Sequence, residues 1–151
     1  MSPEEAEQHL LTWLATIPKS EVSILPELER TLWLVYALEM EVSNGGVHQY
    51  FANPAGDNWK ETLVALQRIG ASRIEQLLTK ALTVFPHHSP SVHHLTRAVQ
   101  LRAIDSEAEA FLEQLTDNYY SLHLECPEQD AYRVMSNYLL QEQGKQTQPH
   151  A

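Results

Sequence analysis

The chain has 151 residues, with 20 acids against 10 Lys and Arg and a formal net charge of −10. That length buries a core without staples and points to one domain, while the charge disfavours direct contact with nucleic acid or an anionic membrane. A single cysteine, Cys126, excludes an internal disulfide and suits a reducing, cytoplasmic setting.

The opening "MSPEEAEQ" is acidic and lacks a basic segment leading into an apolar run, so no secretory signal is expected. The longest apolar run, Leu32 to Leu38, is too short to span a bilayer. Ser2-Pro3-Glu4-Glu5 reads as a capping box with proline at the first helical position and predicts a helix over 3–16. Leu28 to Val42 is apolar nearly all round, which predicts a central, buried helix over 26–43.

"EVSNGGVHQYFAN" follows, residues 41–53. Gly45 is expected to end the long helix in the left-handed conformation, which costs glycine no Cβ clash. Gly46 then lets the chain double back into a short helix over 46–53. Asn44, Gln49 and Asn53 are placed to bond the carbonyls and amides left unpaired at that corner, and Tyr50 and Phe51 to pin it to the core. No nucleophile and base pair is evident, and the spacing matches no phosphate-cradling loop. A structural corner is the first reading and a ligand site the second.

Capping patterns at Asn58…Glu61, Ser72…Glu75 and Ser106…Glu109 open helices over 58–69, 73–85 and 106–125. Ile74, Leu77, Leu78, Ala81, Leu82 and Phe85 form one apolar face; Ala108, Phe111, Leu112, Leu115, Tyr119 and Leu122 form another. A helix over 92–103 lies between them, and an eighth runs over 128–141 after Pro127. No strand-type alternation is sustained. The fold class is therefore all-α, a compact bundle of about seven to eight helices over residues 1–143 with a flexible tail at 144–151.

The pattern E-x-x-N-G-G-x-x-Q-Y-F-x-N, carried by Glu41, Asn44, Gly45, Gly46, Gln49, Tyr50, Phe51 and Asn53, is followed by Ile69-Gly70-Ala71. It resembles the small helical domain of the bacterial DNA-mimic protein family over residues 28–86. Val47 stands where that family usually carries a bulkier aromatic. The resemblance implies an all-helical fold and, by analogy with the member that names the family, an acidic dimer whose carboxylates imitate DNA phosphates toward a helix-turn-helix transcription factor.

Charge is segregated along the chain. Residues 1–57 carry nine acids and two bases, residues 58–102 two and six, and residues 103–151 nine and two. Between Arg102 and Arg133 lie eight acids and no Lys or Arg: Asp105, Glu107, Glu109, Glu113, Asp117, Glu125, Glu128 and Asp130. Glu109, Glu113 and Asp117 fall at i, i+4 and i+8, a row of carboxylates about 6 Å apart along a helix axis. Like charges so placed destabilise a helix by roughly 0.2–0.5 kcal/mol per pair. One reading is a surface that engages a basic partner; the other is a solvated face whose acids favour helix amino-termini. The basic middle (Lys60, Arg68, Arg73, Lys80, Arg97, Arg102) suits either a homodimer or ion pairs within one chain.

His87, His88, His93 and His94 frame a proline-containing loop, but adjacent histidines rarely converge on one ion, and no Cys or carboxylate lies among them. Loop and cap histidines are the better account, so no metal or other cofactor is expected. Glu39 and Glu41 diverge on a helix and make a poor catalytic dyad. Cys126 has no adjacent base and reads as half-buried. The leading expectation is a non-enzymatic acidic module that mimics DNA charge and occupies the basic surface of a DNA-binding protein, without binding nucleic acid or membrane itself. The alternatives are an inhibitor of a basic toxin or nuclease, and a metal-dependent hydrolase using the histidine loop.

Overall fold

The computed structural model describes residues 1–18 and 21–147. Among them are seven α-helices and no strand: α1 (Pro3–Leu14), α2 (Glu27–Ala52), α3 (Trp59–Ile69), α4 (Ser72–Ala81), α5 (His94–Arg102), α6 (Ser106–Glu125) and α7 (Ala131–Thr147). The all-α bundle is the architecture that the apolar periodicity predicts. No helix is long and apolar enough to cross a membrane among the described residues.

α2 is the axle. Its apolar circumference buries Leu32, Leu34, Val35, Leu38 and Val42, and it touches α1, α3, α5, α6 and α7. α1 packs along α7, while α4 reaches from α3 to α6. Leu10, Leu66, Ile74, Leu112, Leu115, Met135 and Leu139 complete the interior from the surrounding helices. Burying one such side chain contributes roughly 1.5–3 kcal/mol.

Of the four capping boxes, only the first forms. The Glu5 N–H donates to Ser2 Oγ at 3.1 Å and the Ser2 N–H to Glu5 Oε2 at 2.6 Å. α6 is capped one residue earlier than expected, by Asp105, whose Oδ1 accepts the Ala108 N–H at 2.8 Å. α4 is capped from 56 residues away: Gln129 Oε1 accepts the Arg73 N–H at 3.1 Å, and Gln129 Nε2 donates to the Gly70 carbonyl at 3.2 Å. Asn58 makes no side-chain cap. A local three-residue pattern cannot anticipate a stronger or more distant acceptor. Gly70, at φ 79°, ends α3 in the left-handed region.

The central corner also differs from expectation. Helices expected over 26–43 and 46–53 form one element, α2, interrupted at Gly45 (φ −156°, ψ 18°) and Gly46 (φ 82°, ψ −179°). The positive φ belongs to Gly46, not Gly45. That pairing of angles is essentially restricted to glycine. Val47, despite its size, is buried. At the other end α7 begins after a turn at Pro127–Gln129 and continues to Thr147, over the first four residues of the expected tail; residues 148–151 lie outside those described.

Candidate functional site

The break in α2 leaves backbone groups without their helical partners. Side chains of α6 supply them. Tyr120 donates its hydroxyl to the Val42 carbonyl at 2.5 Å. Thr116 Oγ1 accepts the Val47 N–H at 3.0 Å and donates to the Leu112 carbonyl at 3.0 Å. The glycine corner and the acidic helix are thereby bolted together.

Within the corner the polar motif residues are bonded to one another. Glu41 Oε2 accepts from Gln49 Nε2 at 2.9 Å and from Asn53 Nδ2 at 2.8 Å, while Asn44 Nδ2 donates to Gln49 Oε1 at 3.2 Å. Tyr50 and Phe51 are fully buried and meet edge to face at 5.1 Å; Phe51 continues to Phe85 at 4.9 Å. Burial pushes the Tyr50 hydroxyl far up from its ordinary value, and it donates to Thr62 Oγ1 at 3.2 Å. The motif is a structural corner.

Arg97, which the sequence groups with the exposed basic middle, is completely buried. It holds the end of α2: Nε donates to the Phe51 carbonyl at 2.7 Å, Nη2 to the Asn53 carbonyl at 2.7 Å, and Nη1 to Asp57 Oδ1 at 2.8 Å and the Ser91 carbonyl at 2.9 Å. Gly56 is required beside it, because a Cβ there would meet the Tyr50 carbonyl at 2.5 Å and Arg97 Nη2 at 2.8 Å. Burial pushes the Asp57 carboxyl up, but the hydrogen bonds and charges of Arg97 and His94 outweigh it and hold Asp57 below the usual carboxylate value.

The cleft opens on the other side of the break. It measures about 470 Å³ and is lined by Gly45, Gly46 and His48 of α2, and from α6 by Glu109, Glu113 and Asp117 with Leu112, Thr116 and Tyr120. No Lys or Arg lines it. Glu109 has one partner, His48, whose Nε2 lies 3.7 Å from Oε1. Glu113 and Asp117 have no hydrogen-bonding side chain and no cation within 4.0 Å among the described residues. The row of three carboxylates and the glycine motif, separate in sequence, form two walls of one cleft.

The other five acids do not join it. Asp105 is occupied as the α6 cap. Glu107 and Glu125 fall roughly 160° around α6 from Glu109. Glu128 accepts the Cys126 thiol at 3.0 Å, which holds its carboxyl below and the thiol above their ordinary values. Asp130 lines a smaller cleft of about 150 Å³ with Glu4, Glu7, His123, Tyr132 and Arg133. His48, Thr116 and Tyr120 were not anticipated as cleft residues. The i+7 and i+11 spacing of Thr116 and Tyr120 from Glu109 was the available signal.

Glu39 and Glu41 diverge as read. Glu39 is buried and accepts hydrogen bonds from Tyr119 and from Ser43, the latter at 2.8 Å. Burial raises its carboxyl, partly offset by those two bonds; burial and the facing Glu39 carboxylate push Tyr119 well up. In the histidine loop, His87 and His88 both sit at φ 55°, while His93 caps α5 by accepting the Leu95 N–H at 3.3 Å. His94 Nδ1 lies 3.3 Å from Asp57 and stacks on His93. No group of three or more His, Cys, Asp or Glu is placed to hold a metal among the described residues.

No curated protein and no solved structure matches the chain. A family model does: that described as DMP19-like protein matches residues 23–142, from the turn before α2 into α7, and so spans both walls of the cleft. The chain belongs to the family of DMP19-like proteins.

Proposed function

We propose that the protein is a non-enzymatic binding module that presents the α6 carboxylates to the basic surface of a DNA-binding protein and so takes the place of DNA. The observation that carries this reading is the cleft itself. Glu109, Glu113 and Asp117 stand in a row with no Lys or Arg among the residues lining it. Like charges in a row cost helix stability, and Glu113 and Asp117 have no cation within 4.0 Å among the described residues, which suits a surface whose partner arrives from outside. Membership of the DMP19-like family and the resemblance of the glycine corner to the DNA-mimic domain support it further.

Phosphates on one DNA strand advance about 3.4 Å along the axis, whereas carboxylates four residues apart on a helix advance about 6 Å. The row therefore imitates every second phosphate rather than a continuous strand. Charge complementarity of this kind governs association rate and salt dependence more than final affinity.

Affinity capture from the source cell tests the reading. The protein and a Glu113→Gln/Asp117→Asn variant serve as baits at two salt concentrations. A DNA-binding protein retained by the first bait at low salt, released by added duplex DNA and lost with the variant is the expected result. Equal retention by both baits, or a recovered partner that is not displaced by DNA, contradicts it.

A further inference from the structure

The chain's scarce positive charge is organised too. Arg30 of α2 and Arg68 of α3 face one open cavity of about 350 Å³, near the lower end of the range of small-ligand sites. Its apolar surface comes from Leu34 and Ala65, both buried, and from Val64, which is 52% exposed. The cavity shares no lining residue with the acidic cleft.

Of the polar groups around it, the two arginines hold donors to spare. Arg30 makes one long bond, Nη1 to the Leu25 carbonyl at 3.4 Å, and has no carboxylate within 4.0 Å among the described residues. Arg68 Nη1 lies 3.5 Å from Glu27, whose side chain is largely in solvent, and donates to Thr31 Oγ1 at 3.2 Å. Thr31 is only 1% exposed. Its oxygen accepts from Arg68.

Two guanidiniums beside an apolar surface select an oxyanion attached to a hydrocarbon body. Glu61, exposed at the same cavity, repels a second negative charge and so disfavours di- and triphosphates. We propose that this cavity binds a small amphipathic monocarboxylate, with its head on Arg30 and Arg68 and its apolar body along Leu34, Val64 and Ala65.

The test is a titration of the full chain with octanoate, followed by calorimetry and by amide NMR shifts. Saturable one-to-one binding with shifts centred on Thr31, Val64 and Ala65 is expected. Octanol, which lacks the charge, should bind at least about ten-fold more weakly, as should octanoate to Arg30→Gln, since one charge-assisted bond is worth about that factor. Val64→Asp, at a half-exposed position, should leave the melting curve in place and abolish binding. The proposal is overturned by no saturation at millimolar octanoate, by octanol or inorganic phosphate binding as well as octanoate, or by unchanged affinity in both variants.

Discussion

The two helices that meet at the cleft carry the same side-chain chemistry in opposite states. On α2, the Glu41 carboxylate is matched by two amide donors of its own motif, Gln49 and Asn53. On α6, Glu113 and Asp117 face solvent with no cation beside them among the described residues. A carboxylate satisfied inside the chain stabilises the fold; one left over is available to a partner. The contrast teaches that acids must be sorted by what they already hold before any is assigned a role. Of the eight candidates, Asp105 and Glu128 are already occupied, and three, Glu109, Glu113 and Asp117, share one cleft.

If the α2 side is structural, breaking it should unfold the domain. Arg97→Ala should have the largest effect, about 3–5 kcal/mol, because it removes the donor of the buried Phe51 carbonyl and of the partly buried Asp57 carboxylate and Asn53 and Ser91 carbonyls together. Chemical denaturation measures it. Gly46→Val comes next, at about 3 kcal/mol, since φ 82° with ψ −179° excludes a β-branched residue and a Cβ would press on Thr116 at 3.0 Å. Glu41→Ala, which strands two amides at a partly open site, should cost about 1–2 kcal/mol by the same assay. At Gly45 the φ of −156° is open to any residue, but a Cβ would collide with the Gln49 amide, so Gly45→Ala should cost the Gln49 bonds to Glu41 and Asn44 rather than backbone strain.

The protonation behaviour of the buried Glu39 and the partly buried Asp57 sharpens the comparison further. Glu39 has a folded pKa above its ordinary value, so its contribution to stability is present below about 4.5 and is lost as pH rises through the folded pKa. Asp57 has a lowered one, so its contribution is present above about 3.8 and is lost as pH falls. Glu39→Gln should therefore gain on the parent as pH increases, and Asp57→Asn should lose less than the parent on acidification. Melting curves across pH read both signs.

On the α6 side the effect on stability should be the smallest and of opposite sign. Glu113→Gln/Asp117→Asn relieves like-charge repulsion worth roughly 0.2–0.5 kcal/mol per pair and should leave the midpoint unchanged or slightly raised. What it should lose is binding.

Much of the fold was legible because helical periodicity is a local property. The all-round apolar face of Leu28 to Val42 announced the central helix, and Asn44-Gly45-Gly46 announced its break. What could not be read were contacts between distant residues. Gln129 capping α4, Arg97 reaching back to the end of α2, and Thr116 and Tyr120 serving the α2 break are each set by tertiary packing, which leaves no trace at short spacing. The spacing of Glu109, Glu113 and Asp117 revealed a stripe. It could not reveal that the stripe faces the glycine corner.

The most direct measurement of the central claim is a competition titration in which this protein and duplex DNA contend for one recovered DNA-binding partner. Mutually exclusive binding is the predicted result, with the Glu113→Gln/Asp117→Asn form a weaker competitor and the advantage of the parent shrinking as salt shortens the Debye length from about 30 Å to about 8 Å. A ternary complex of partner, DNA and this protein, or equal competition by the neutralised form, would contradict it.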